Sequence, residues 1–91
     1  PSHCELMKPA AEQLLTAMQT LTFNAPQIPV LHNVDVKTHA EPLQIMQALA
    51  KQLYSPVQWI ATIQAMKQSG IDKIVECGPN KVLTGLNKRI E

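Results

Sequence analysis

The strongest constraint on the fold is that two short apolar runs, at residues 28–34 and 71–77, are separated by two helical stripes. The first run, Ile28-Pro29-Val30-Leu31-His32-Asn33-Val34, reads as a strand. Pro29 sits at its start, where a missing N–H is tolerated. The second run reads as a strand with a nearly buried middle, Ile74-Val75. Helices between strands favour a parallel, α/β arrangement. The predicted order is helix, strand, helix, helix, strand, helix. Two strands make a poor sheet alone, so further strands outside this sequence are expected.

The helical segments follow from spacing and caps. Ser2-His3-Cys4-Glu5 has the S-x-x-E form of a capping box, and Pro9 offers a second start. Met7, Ala11, Leu14, Met18 and Leu21 recur every three or four residues, which predicts a helix to about Leu21 with one buried face. Residues 22–27 form a loop with Asn24 and Pro26 as turn residues, and residues 35–40 form a polar loop. Pro42 opens a helix striped by Leu43, Met46, Leu49, Ala50 and Leu53 that runs to Tyr54. Ser55-Pro56-Val57-Gln58 is a cap, first position and reciprocal Gln for the next helix, with Val57, Ile60, Ile63 and Met66 inside. Gly70 is its expected stop. Gly78-Pro79 turns the chain, and Asn80 is placed to cap a last helix bearing Val82, Leu83, Leu86 and Ile90.

Composition narrows the function. With 91 residues there is room for one small domain at most. Because it begins at Pro1, it is expected to be processed or part of a longer chain. One Phe, one Tyr and one Trp leave an aliphatic core. Eight Lys+Arg against seven Asp+Glu argue against a dedicated nucleic-acid binder. Lys81, Lys88 and Arg89 read as a solvated helix face, or as a patch for an acidic partner. No apolar run approaches the roughly 18 residues a membrane helix needs, so no membrane partner is expected, and no signal peptide is read within these 91 residues. Two cysteines far apart, Cys4 and Cys77, suit a reducing, cytoplasmic setting.

His3 is the residue with the most chemistry to offer. Its plain role is a terminal histidine; its functional role is a general base at a helix N-terminus, which disfavours the imidazolium and leaves the ring able to accept a proton. A base also needs an acceptor for its other ring N–H, and a nucleophile to deprotonate. No convincing nucleophile is present, so the chain reads as half of an active site. Cys4 is a small core cysteine rather than a thiol nucleophile, since adjacent side chains rarely face each other. His32 and His39 read as strand-end and loop histidines; with His3, Cys4 and Cys77 they make no metal spacing. Gly78-Pro79-Asn80-Lys81 stands where anions bind, but lacks the Walker pattern and reads as a plain turn. Trp59 is core or interface filler.

Several blocks together resemble one family. They are Pro1-Ser2-His3-Cys4, Leu6-Met7-Lys8-Pro9-Ala10-Ala11, Thr22-Phe23-Asn24-Ala25-Pro26, Asn33-Val34-Asp35-Val36-Lys37, Gln52-Leu53-Tyr54-Ser55-Pro56-Val57-Gln58-Trp59, Glu76-Cys77-Gly78-Pro79 and Lys81-Val82-Leu83-Thr84-Gly85-Leu86. In order and spacing they resemble the C-terminal third of bacterial malonyl-CoA:acyl carrier protein transacylases. The resemblance implies a ping-pong transfer of malonyl from coenzyme A to acyl carrier protein in fatty acid synthesis, through a malonyl-serine ester. It implies an α/β-hydrolase-like large subdomain with a ferredoxin-like small subdomain inserted. It implies no cofactor beyond malonyl-CoA as substrate. The family's base matches His3, and the carbonyl that orients it matches Gln52, with Gln58 as the alternative.

The family's G-H-S-x-G serine elbow does not occur in these 91 residues. Its malonyl-binding arginine, oxyanion loop and small subdomain are also expected elsewhere. The expected partners are therefore malonyl-CoA, acyl carrier protein and the remainder of the same enzyme. Two other readings stay open. One is a non-catalytic interaction module presenting Met7, Met18, Met46, Met66 and Trp59; the other is a fragment of a polyketide synthase acyltransferase domain.

Overall fold

A computed structural model describes residues 2–90. It divides into two compact units that meet between Gln58 and Trp59 in the sequence.

In the first unit a 3-10 turn, Glu5–Met7, leads directly into α1, Lys8–Met18. Pro9 lies in the first turn of α1, where its missing N–H costs no helical bond. The capping box does not form: Cys4 holds the cap position with no side-chain bond, and its carbonyl accepts the Met7 N–H at 3.0 Å. Helix α1 also ends before Leu21. The Thr20 hydroxyl donates back to the Ala17 carbonyl at 2.8 Å, and the chain tightens there through Leu21 N–H to Met18 O at 3.0 Å.

Helix α2, Pro42–Gln52, starts at its proline as expected. It packs on α1 around buried Ala11, Met18 and Ala50, with Leu15, Phe23, Met46, Leu53 and Tyr54 at the margin. The expected α2 stripe is only half right. Met46, Ala50 and Leu53 face α1, whereas Leu43 and Leu49 are exposed and Ile45 and Ala48 are buried. An α-helix with apolar residues on more than one side lets packing select among them.

The expected parallel strands are not what forms. Residues 28–34 contribute only β1, Leu31–His32. It pairs antiparallel with β2, Lys37–Thr38, in the segment expected to be a loop, with Leu31 opposite Thr38 and His32 opposite Lys37. The turn closes through Val36 N–H to His32 O at 2.8 Å, and Asp35 Oδ1 accepts the Lys37 N–H at 3.2 Å. Val36 takes a left-handed φ of 56°, uncommon for a β-branched residue. Residues 71–77 form no strand. A strand exists by pairing with a neighbour, and the only sheet among the described residues is this hairpin.

The second unit packs α3, Trp59–Gln68, against α4, Val82–Ile90, with Thr62 and Ile63 buried. The Trp59 indole N–H donates to Asn87 Oδ1 at 2.9 Å. Gly70 ends α3 as expected. At φ 89° it lets Gly70 N–H reach Lys67 O at 3.1 Å and Ile71 N–H reach Met66 O at 3.0 Å, the paired bonds of a Schellman stop. Helix α3 begins at Trp59, so Ser55 does not cap it.

Candidate active site

The site is built where the start of the chain meets the end of α2. The α2 carbonyls of Ala50 and Lys51 take the N–H groups of Leu53 and Tyr54, each at 3.2 Å. The next two carbonyls turn to His3. Leu53 O accepts the His3 backbone N–H at 2.9 Å, and Gln52 O lies 2.9 Å from His3 Nδ1. Two contacts thus hold one residue against the end of a helix.

This geometry decides the ring's tautomer. A carbonyl oxygen only accepts, so a 2.9 Å contact to it places the proton on Nδ1. In the neutral ring Nε2 then keeps its lone pair. The Gln52 side-chain Nε2 is also near, 3.4 Å from His3 Nδ1. That longer contact is the weaker one, because a protonated nitrogen has no lone pair for an amide donor. The ring is exposed, and it rests on the carbonyl end of α2. The Gln52 carbonyl fixes which ring nitrogen carries the proton in this contact. His3 reaches this position with φ 62°, a left-handed conformation that histidine adopts more readily than most residues.

Gln58, the alternative partner for His3, is engaged elsewhere. Its side-chain amide donates to Val34 O at 2.8 Å and its backbone N–H to Asn33 O at 3.0 Å. Cys4 is partly buried, and Cys77 is exposed. The other histidines belong to the hairpin. His39 Nε2 lies 2.7 Å from Asp35 Oδ2, and the His32 and His39 rings are 5.2 Å apart. Burial pushes the Asp35 carboxyl up, but the His39 bond and charge, with the Lys37 N–H and His32, outweigh it and hold it below its ordinary value. Among the described residues no three His, Cys, Asp or Glu side chains are placed to hold a metal ion. No helix among them is long and apolar enough to cross a membrane.

The turn at Gly78-Pro79 presents no open anion cradle. Glu76 already bonds the first amides of α4, taking Thr84 N–H at 2.9 Å, the Thr84 hydroxyl at 2.9 Å and Leu83 N–H at 3.3 Å. The Thr84 amide chiefly, with its hydroxyl and the Leu83 amide, holds the Glu76 carboxyl below its usual value. Glu76, not Asn80, caps α4. Sequence spacing missed this because the donor amides lie seven and eight residues away, beyond any local cap pattern. It also missed the Leu53 carbonyl, which no side-chain identity reveals. The Asp35–His39 pair was missed as well, because it forms in a hairpin turn and not on a helix face.

No protein-family model matches the chain. Over 90 residues it is 54% identical to the malonyl CoA-acyl carrier protein transacylase of Haemophilus influenzae, covering 99% of this chain and 29% of that protein. The chain matches the malonyl CoA-acyl carrier protein transacylases over essentially its whole length. Among solved structures it is similar to an acyl carrier protein S-malonyltransferase from Vibrio cholerae. That similarity has a TM-score of 0.94 and 56% identity over 99% of this chain and 29% of that one. It is also similar to a malonyl-transacylase solved in complex with a type II polyketide synthase acyl carrier protein. There the TM-score is 0.95 and the identity 48%, again over 99% of this chain and 29% of that one. The chain spans about 29% of the length of the transacylases it matches.

Proposed function

We propose that these residues are the C-terminal part of a malonyl-CoA:acyl carrier protein transacylase and supply its catalytic base. They belong to its α/β-hydrolase-like large subdomain. The serine elbow, the malonyl-binding arginine and the ferredoxin-like small subdomain lie in the remainder of the enzyme. The substrate is malonyl-CoA, the acceptor is acyl carrier protein, no further cofactor is required, and the setting is the cytoplasm.

The observation behind this reading is the 2.9 Å contact between His3 Nδ1 and the Gln52 carbonyl. In the neutral ring this contact puts the proton on Nδ1 and leaves Nε2 with the lone pair a general base requires. In the first half-reaction the serine hydroxyl gives its proton to His3 Nε2 as Oγ attacks the malonyl thioester carbonyl. The C–S bond breaks, and the coenzyme A sulfur takes the proton from Nε2. In the second, the phosphopantetheine thiol of the carrier protein gives its proton to Nε2 and attacks the ester; the serine oxygen leaves and regains a proton. In each half the imidazolium is transient. Its Nδ1–H stays on the Gln52 carbonyl, whose partial negative charge at a helix end favours the cation. A main-chain carbonyl thus serves as orienter where a carboxylate would otherwise be needed.

In the full-length enzyme, His3→Ala is expected to lower the rate of malonyl transfer by roughly 10²–10⁴-fold. A rate near that of the unsubstituted enzyme would remove His3 from the mechanism.

A further inference from the structure

We propose that Tyr54 is a positioning residue for His3: its ring ties the end of α2, which presents the Gln52 and Leu53 carbonyls, to the start of α1, the helix that follows His3. The inference rests on the reading of His3 as the base. His3 is exposed, and its place is given by Leu53 O on its backbone N–H and Gln52 O at Nδ1, both at 2.9 Å. The last carbonyls of a helix lack intrahelical partners, and helix ends fray. An acceptor on a fraying end aims a ring only if something fixes that end. The residue that follows both acceptors is Tyr54.

Tyr54 is itself held from two sides. It is half-buried and packs against the core formed by Ala11 and Met18 of α1 and Ala50 of α2. On the α1 side the Lys8 ammonium stands 5.9 Å from the Tyr54 ring centroid, within the range of a cation–π contact. Lys8 is the first residue of α1 and lies three residues before Ala11, on the same helix face. The contacts close a circuit. From His3 the chain runs through the 3-10 turn Glu5–Met7 to Lys8, and Lys8 meets the Tyr54 ring. Tyr54 leads back along the main chain to Leu53 and Gln52, whose carbonyls hold His3. Tyr54 is thus joined by its main chain to the acceptors and by its ring to the helix that follows the donor. The ring carries this role, and the hydroxyl does not.

The test uses the full-length enzyme containing this segment. Tyr54→Ala is expected to lower kcat for malonyl transfer roughly 10- to 10²-fold, the scale of a misplacement near 1 Å, with KM for malonyl-CoA nearly unchanged. The ¹⁵N resonances of the His3 ring should show a smaller Nδ1–H fraction, which a loss of stability alone does not move while the enzyme stays folded. Tyr54→Phe keeps the ring and should restore both. Lys8→Met alters an exposed side chain and leaves the core intact; it should lower kcat roughly 2- to 5-fold, the worth of a cation–π contact at an exposed site. Lys8→Arg should restore it. If Tyr54→Ala does not fold, the Lys8 pair decides. The proposal is overturned if Tyr54→Ala leaves kcat and the ring resonances unchanged, if Tyr54→Phe is as impaired as Tyr54→Ala, or if Lys8→Met matches the unsubstituted enzyme. His3→Ala in the same enzyme separates the two questions. An active His3→Ala enzyme rejects the base assignment, while the ring resonances of the Tyr54 and Lys8 variants still report whether Tyr54 places the ring.

Discussion

At His3, backbone and side chain are constrained by neighbouring carbonyls of the same helix end. Its left-handed φ of 62° costs a non-glycine residue on the order of 1–2 kcal/mol. Bonds to Leu53 O and Gln52 O, both at 2.9 Å, compensate for it and aim the ring. The Gln52 side chain has a lesser part, since its amide stands 3.4 Å from a nitrogen already carrying a proton. Gln52→Ala, which spares the main-chain carbonyl, is therefore expected to lower kcat less than about fivefold. A loss as large as that of His3→Ala would assign the catalytic support to the side chain instead. His3 and Gln52 could be paired from the sequence through family resemblance. The physics that joins them could not, because a carbonyl acceptor is common to every residue and leaves no mark on residue type.

At the scale of elements, helix ends decide most of what differs from expectation. Asn80, Ser2 and Ser55 all have cap chemistry, yet α4 is capped by Glu76, and neither Ser2 nor Ser55 caps the helix expected of it. Gly70 and Pro42 perform as read, because backbone φ and a missing N–H are properties of the residue itself. A side-chain cap also needs the right approach, which the rest of the fold controls. The Glu76 cap has a definite pH dependence. Its carboxyl is held below the ordinary value of 4.5 in the folded state, so its stabilisation is complete above that value. It is lost as pH falls through the lowered folded value. The Thr84 amide proton resonance is expected to titrate with a midpoint below 4.5, and Glu76→Gln should abolish that titration. A midpoint at or above the ordinary glutamate value would contradict the cap.

At the scale of the molecule, the described residues form two units, each with much apolar surface still in water. Ile28 is 77% exposed in the first; Val75 and Val82 are 72% and 67% exposed in the second. Such surface fits the reading of a segment that completes its core with the remainder of an enzyme. The purified 91-residue chain is accordingly expected to show no malonyl transfer, since it holds no serine elbow for the proposed base His3 to act on. Transfer above the uncatalysed rate would defeat that expectation.

The sequence by itself determined that there are four helices, the stop at Gly70 and the absence of a serine elbow from these 91 residues. These follow from periodicity, from the special backbones of glycine and proline, and from residue identity. Only the tertiary structure decided that residues 31–38 make an antiparallel hairpin and that residues 71–77 stand unpaired. Strand pairing depends on which neighbour is within reach, and a strand's own residues do not contain that neighbour. It likewise decided that the free carbonyls at the end of α2 meet His3, because contact between residues 49 positions apart is set by the packing of α1 on α2.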